Sequence, residues 1–410
     1  MIHNRFCFHP IGQGLFYSGS FNRGEYNFIY DCGTDSDQSY LNRQIDAFAK
    51  HLTNHYSQKS TLNFVVISHL HFDHMSGLPY LLQRFNIKNL YLPYLNTTPQ
   101  VIDLILAYSI FVKGDGQEEG RWQLYDTMHN YYANEPNTDS EEGRPRIRFI
   151  REGENYFGDS DDEVRAASFS IEEDAWRFVL VNKTLSAKKM ATFEQKLNDL
   201  TVSNPNYIDE LVEKMKDPKT YEGAKAEIEQ LYYDTFKYGD QINKTSIVLM
   251  HYPVVDNASG YISAYTYAKT LDGHLYNIGD EIHGYGKVTL LTGDAMMDKQ
   301  MQATLQQQYN ETLEGILQIP HHGSWYNYIG SKRNVLPQLW QCFDLQVISY
   351  GLGNKYHHPH SRTVDDILSK NKQLLSATQN LGVYYYIVEG LQYDTEEIED
   401  LQCYITRQLL

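Results

Sequence analysis

The chain has 410 residues and a formal charge of −17, which argues against a broad basic face gripping long duplex DNA by counterion release, although bound dications or a local basic patch would escape that sum. No apolar run is long enough to cross a membrane, Met1–Phe6 does not begin a secretion signal, and Cys7, Cys32, Cys342 and Cys403 are scattered without a Cys-x-x-Cys pair. The expectations are a cytoplasmic protein with reduced thiols, no membrane association, and one large α/β domain with insertions or two average domains. Tyrosine, at 34 residues, is read as amphipathic filler rather than as a base-stacking platform.

In chain order, Phe6–Phe8, Gly14–Tyr17 and Phe28–Tyr30 read as strands, the last leading into Asp31-Cys32-Gly33. Asp31 has two readings: an ordinary Asx-turn, or a carboxylate that fixes the tautomer of a metal-bound histidine. Residues 35–56 carry apolar positions at helical spacing, with Asp35 or Ser36 as the cap. Phe64-Val65-Val66-Ile67 is a buried strand that breaks into Ser68-His69-Leu70-His71-Phe72-Asp73-His74. In an extended segment His69 and His71 point the same way and can grip one metal. Asp73 and His74 follow where the chain turns and can reach a second metal beside the first. Imidazole and carboxylate together suit zinc first, with manganese or iron also accommodated.

Beyond this loop, Leu78–Phe85 reads as a short helix, Leu90–Leu92 as a strand closed by Pro93, and Pro99–Val112 as a helix. The character then changes. Lys113–Gly120 and Asn134–Gly143 are polar and turn-rich, Ile147–Ile150 and Trp176–Val181 look like strands, and Lys188–Leu200, Tyr207–Met215 and Tyr221–Phe236 look like charged amphipathic helices. The organisation expected is therefore a core half at 1–112, a mostly helical insertion or cap at 113–242 that could also bind a protein partner, and a second core half at 243–410. In that half, Ile247–Met250 follows Asn243 and Ser246 as a strand, Lys287–Thr292 ends at Gly293-Asp294, and Met296–Gln307 reads as a helix. Gly315–Pro320 runs into His321-His322-Gly323-Ser324, and Leu345–Ser349 leads to the Tyr350–Pro359 loop with Asn354 and His358. Thr363–Ser369 closes as a helix and Val383–Val388 as the last strand. One device repeats: a short apolar strand whose C-terminal end carries a ligand-type side chain.

The H-x-H-x-D-H run resembles the signature of the metallo-β-lactamase superfamily. Gly12-Gln13-Gly14, Asp31-Cys32-Gly33, Asn243 with Ser246, Leu291-Thr292-Gly293-Asp294, Pro320–Ser324, and Ser349-x-Gly351 with Asn354-x-Tyr356-x-His358-Pro359 make it similar to the ComEC C-terminal-domain-like branch, with the 113–240 block unmatched. The resemblance implies an αβ/βα four-layer sandwich and a two-metal hydrolase of phosphodiesters, nuclease first. It implies that His69 and His71 hold one metal and Asp73 and His74 the other. Asp294 would bridge them, His321 or His322 would complete the second site, and the remaining imidazole would sit near the substrate. Asn354 and His358 would contact phosphate or supply a ligand, and Asp31 would orient a ligand from behind. Many superfamily members carry a third histidine for the first metal. The only histidine in the matching stretch is His251, read here as incidental, which leaves the first site open.

The chemistry implied is attack on phosphorus by hydroxide generated between two dications, zinc or manganese, with His321 or His358 assisting the leaving oxygen. The substrate would be a nucleic acid or a nucleotide-like small molecule. Two alternatives stand beside it: a small-molecule phosphodiesterase, phosphorylcholine-esterase-like enzyme or other ester or lactone hydrolase, and a metal-binding interaction protein without activity.

Overall fold

The computed structural model describes residues 4–52, 60–95, 97–113, 119–133, 144–150, 164–171, 175–184, 187–202, 204, 206–236, 242–254, 260–269, 275–278, 281–309, 311–329 and 338–389. Two large sheets dominate. In the ten-stranded sheet, Leu275–Asn277, Gly260–Lys269, Leu381–Glu389, Asn4–Phe8, Gly14–Phe21, Tyr26–Thr34, Phe64–Val66, Asn89–Leu92 and Arg146–Phe149 lie side by side, with Ile282–Tyr285 also pairing to Gly260–Lys269. Its last four strands run parallel and the rest antiparallel. The seven-stranded sheet follows the order Gln373–Ala377, Leu345–Ser349, Gly315–Gln318, Val288–Leu291, Val248–Pro253, Trp176–Lys183, Val164–Ile171. Here the first four strands are parallel.

The sheets face each other across an aromatic core in which Phe6, Tyr17, Phe28 and Phe64 of one meet Trp176, Phe178 and Leu249 of the other. Alternation along each strand sends the opposite residues outward. Ile29, Val65 and Leu90 pack beneath helices including Gln38–Leu52, Leu78–Arg84, Pro99–Ala107 and Glu119–Ala133. Val248, Leu290 and Leu317 do the same beneath Lys299–Gln308, Trp325–Ile329 and Ser361–Ser369. This is the expected αβ/βα four-layer sandwich. Among the described residues no helix is long and apolar enough to cross a membrane.

Several local expectations shift. The first helix spans Gln38–Leu52, and its cap is Asp37, which accepts from the Ser39 amide at 2.8 Å. Ser36 instead accepts from the Gln13 amide, and Asp35 from the Tyr356 hydroxyl. The remainder of that helix expectation, 53–56, lies outside the described residues. The helix at Pro99 is α only to Ala107 and continues as a π-helical turn over Tyr108–Lys113. Within 113–242, helices Ala187–Thr201, Tyr207–Lys214 and Tyr221–Phe236 form as expected, but strands 146–149, 164–171 and 176–183 belong to the two sheets. Helix Glu119–Ala133 was not anticipated. Of the turn-rich stretches, 114–118 and 134–143 lie outside the described residues.

Candidate metal centre

Both sheets deliver side chains to one rim. Phe64–Val66 ends in the histidine loop, which turns at once into the short helix Phe72–Met75. Gly33 allows this turn to sit against the neighbouring strand: a Cβ there would lie 2.4 Å from the Met75 amide nitrogen and 2.5 Å from that of His74. From the other sheet, Val288–Leu291 ends just before Asp294, and Gly315–Gln318 just before His321 and His322. These two histidines are consecutive left-handed residues, with φ of 50° and 53°, a conformation costing non-glycine residues roughly 1–2 kcal/mol each. Their anchoring offsets that strain. The His321 amide donates to Gly293 O at 3.0 Å, and His322 Nδ1–H donates to Ser349 O at 2.8 Å.

The ligand-type atoms converge in two groups: His69, His71 and Asp294, and Asp73, His74 and His322, each within 4.8 Å of its fellows. In the first, His69 Nε2 lies 3.0 Å from His71 Nδ1 and 3.6 Å from Asp294 Oδ2. In the second, His322 Nε2 lies 3.0 Å from Asp73 Oδ2, and His74 Nε2 lies 3.9 Å from the same oxygen. Asp294 faces both, because its Oδ1 is 3.1 Å from His74 Nε2. Zinc–imidazole bonds of about 2.0–2.1 Å put tetrahedral ligand atoms about 3.3 Å apart, the spacing seen here. His74 Nε2 and Asp294 Oδ1 are buried and, despite their 3.1 Å approach, neither makes a hydrogen bond. Atoms so buried and so unpartnered are aimed at a shared point rather than at one another. The donor set of each group therefore fits a divalent cation.

Tautomers are set from behind. Asp31 sits in a β-bulge, where the register passes from Tyr17 opposite Tyr30 to Phe16 opposite Cys32, and its φ is 56°. The bulge re-aims its carboxylate. Oδ2 accepts from His74 Nδ1 at 2.7 Å and from the Ser68 hydroxyl at 2.7 Å, while Oδ1 accepts from the Ser68 amide at 2.6 Å. The His74 Nε2 lone pair is thereby turned to the centre. Of the two readings of Asp31, the Asx-turn is the one the contacts do not support. Ser68 Oγ also lies 3.1 Å from His69 Nδ1. Ser349 O does the same service for His322.

The protein groups alone already polarise the site. Burial would lift the Asp294 carboxyl, but His321, His74 and His322 outweigh it and hold it well below the usual carboxylate range. Burial likewise opposes charge on Asp73, and His74 and His322 overcome it. Burial would depress His74, yet the carboxylates of Asp294, Asp31 and Asp73 raise it. His69 and His71 are driven down by burial, which keeps their nitrogen lone pairs available.

His321 stands at the rim, with Nε2 3.5 Å from Asp294 Oδ2 and its side chain 21% exposed. Of the adjacent pair, His322 is the one grouped with Asp73 and His74. His358 lies beside His321, ring centroids 5.4 Å apart, with a buried Nδ1 that makes no hydrogen bond. Asn354 is used differently from expectation. Its Nδ2 donates to Gly351 O and His358 O, and its Oδ1 accepts from the Tyr356 and His358 amides. Both donors and both lone pairs are spent on the loop, so Asn354 shapes the rim rather than reaching past it. His251 is remote from the centre, hydrogen-bonded to the Tyr17 hydroxyl at 2.8 Å and packed on Phe6 and Phe28 in the inter-sheet core.

Sequence reasoning missed Asn327, which is fully buried. Its Oδ1 accepts from His321 Nδ1 at 2.8 Å and its Nδ2 donates to Asp294 O at 2.8 Å, tying the two together. No motif marks it. Asn243 approaches the same His321 nitrogen at 3.3 Å.

Residues 20–126, which include the histidine loop, match the family model described as Metallo-beta-lactamase superfamily. The chain carries a metallo-beta-lactamase superfamily domain. Members of that superfamily are mostly metal-dependent hydrolases. No curated protein matches the sequence. Among solved structures, the domain is similar to an archaeal metallo-beta-lactamase superfamily protein from Sulfolobus tokodaii at 17% identity, covering 44% of this chain and 59% of that one, TM-score 0.17. It is also similar to a subclass B3 metallo-beta-lactamase from a soil metagenome library at 12% identity, covering 43% and 60%, TM-score 0.17. A protein of unknown function from Enterococcus faecalis V583 aligns at 10% identity over 91% and 87%, TM-score 0.19. The chain thus spans about three-fifths of the length of the first two structures.

Proposed function

We propose that this metallo-beta-lactamase superfamily domain is a dinuclear metal-dependent phosphodiesterase acting on nucleic acid or nucleotide-like substrates, a nuclease first. The observation that carries the reading is the pair of three-residue ligand groups turned towards each other across Asp294. Two divalent cations, zinc or manganese, would be held by His69, His71 and Asp294 and by Asp73, His74, His322 and Asp294. They would supply water activation and neutralise charge on phosphoryl oxygens.

The chain's own groups have the remaining tasks. Asp31 and Ser349 O hold the Nδ1 protons of His74 and His322, so that their Nε2 atoms stay turned to the cations. His321, steadied by Asn327, and His358 beside it are suited to hold or give a proton to the departing oxygen. Asn354 keeps His358 in place by clamping the backbone on both sides of it. The cleft beside these groups carries Lys113, Arg121 and Lys355 beside Asp35 and Asp37, cations that suit the charge of a phosphate ester.

The test is a substrate panel with added zinc or manganese: bis-p-nitrophenyl phosphate, plasmid DNA, single-stranded DNA, RNA and nitrocefin. Chelator-sensitive cleavage of at least one phosphodiester is expected, with two metals bound per chain. Turnover of nitrocefin with every phosphodiester left intact would overturn the proposal.

A further inference from the structure

Beside the metal centre lies a cavity of about 580 Å³. It adjoins the histidine loop, since Phe72, between His71 and Asp73, lines it, as do Asn354, Lys355 and Tyr356 of the loop that leads to His358. Three cations face it, Lys113, Arg121 and Lys355, against the carboxylates of Asp35 and Asp37. The carboxylates are engaged: Asp35 accepts from the Tyr356 hydroxyl at 3.0 Å, and Asp37 caps the first helix. Arg121 is fixed, with its guanidinium stacked 4.0 Å from the Phe72 ring centroid and donating to Ile110 O at 2.6 Å. Lys113 and Lys355 differ. Among the described residues neither side chain makes a close ion pair or hydrogen bond: Lys355 lies 5.2 Å from the ring of its neighbour Tyr356, and both lysines act on the Asp35 carboxylate only at longer range.

From this arrangement we infer that Lys113 and Lys355 form a subsite for a second phosphate group of the substrate, one linkage away from the phosphodiester that is cleaved. Lysine suits the task as a mobile point charge with three donors. The same geometry disfavours a quaternary ammonium headgroup. Such a group seeks bare aromatic faces, and the rings of Phe72 and Tyr356 already carry Arg121 and Lys355. Lys113 closes the π-helical turn at the start of the 113–242 block, so the subsite is assembled from that block and from the Tyr350–Pro359 loop. It also reconciles a chain charge of −17 with an anionic substrate, because the attraction needed is local.

This inference rests on the phosphodiesterase reading, and its test is chosen to separate the two. The full chain as purified is titrated with a fluorescent thymidine trinucleotide whose two phosphorothioate linkages suppress turnover. It is then titrated with analogues in which either linkage is a neutral methylphosphonate. Loss of one charge should weaken binding to the wild type about tenfold in at least one analogue. The K113Q/K355Q double variant should lose that discrimination, and K113R/K355R should keep it. Equal discrimination in wild type and K113Q/K355Q, or none in either, overturns the subsite, whatever the panel of substrates shows. If no phosphodiester is cleaved but the lysine-dependent discrimination holds, the hydrolytic reading falls and the anion subsite stands.

Discussion

Asp31→Asn isolates the part of the centre that no cation touches. The substitution keeps shape and volume but replaces Oδ2, which accepts from both His74 Nδ1 and the Ser68 hydroxyl, with an NH2 group. Two donors then face the His74 N–H. Rotating the amide does not help, because the NH2 would meet the Ser68 amide, now only 2.6 Å from Oδ1. His74 must move its proton to Nε2, the nitrogen turned towards Asp294, and so loses the lone pair that would bind a cation. Disturbing such a supporting carboxylate typically costs 10–100-fold in metal affinity, about 1.4–2.7 kcal/mol. Competition against a chromophoric chelator resolves the two sites. The Asp73–His74–His322 site should weaken by that factor, and the His69–His71 site by less. Unchanged affinity at both sites would refute the assignment of Asp31 as the group that sets the His74 tautomer.

Three further outcomes follow from the same geometry. Asp294→Asn, or Asp73→Asn, should abolish phosphodiester turnover and lower bound metal below two per chain while the circular dichroism spectrum is kept; a variant with full activity and full metal would contradict the bridging arrangement. Asn327→Leu leaves His321 Nδ1 and Asp294 O without their partners, so it should cost about 1–3 kcal/mol in denaturant unfolding and reduce turnover as well; loss of neither would remove Asn327 from the support of the site. Burial holds His251 down to about 3, so the unfolded chain binds its proton first as pH falls below about 6.5, and stability is lost between that pH and about 3 at about 1.4 kcal/mol per pH unit. His251→Gln should therefore lose about 2 kcal/mol less than the wild type between pH 7 and pH 5, and an identical loss in urea unfolding would exclude the mechanism.

The centre was legible where chemistry is dense in sequence. Three imidazoles and a carboxylate within six positions after an apolar strand have few innocent explanations, and the strand-end rule then points to Asp31, Asp294 and the His321-His322 pair without choosing between the two histidines. What stayed hidden has physical causes. Asn327 and Ser68 are ordinary polar residues whose importance comes from what folding places opposite them. Asn354 looked like a phosphate contact because a free carboxamide and a saturated one are the same letter. Strand Val164–Ile171, with its small and polar Ala166, Ser168 and Ser170, gives no apolar alternation, although it pairs along its whole length with Trp176–Lys183. Helix Glu119–Ala133 buries Arg121, Leu124, Tyr125 and Met128 on one face, but a buried arginine at the first of those positions breaks the pattern a reader looks for.

The division of the ligands between two sheets has a mechanical meaning. His69 to His74 hang from one layer and Asp294 and His322 from the other; behind them the layers are joined by the aromatic packing of Phe28 and Phe64 against Phe178 and by hydrogen bonds from the Tyr30 hydroxyl to Ile247 O and from the Ile247 amide to Ser68 O. Any cation held by both sets would act as a clasp at the open end of the sandwich. Stripping it should make the layers breathe first at that end, so faster amide exchange around Ser68 and Gly293 than around Phe6 or Leu249 would be the sign that the clasp had been undone.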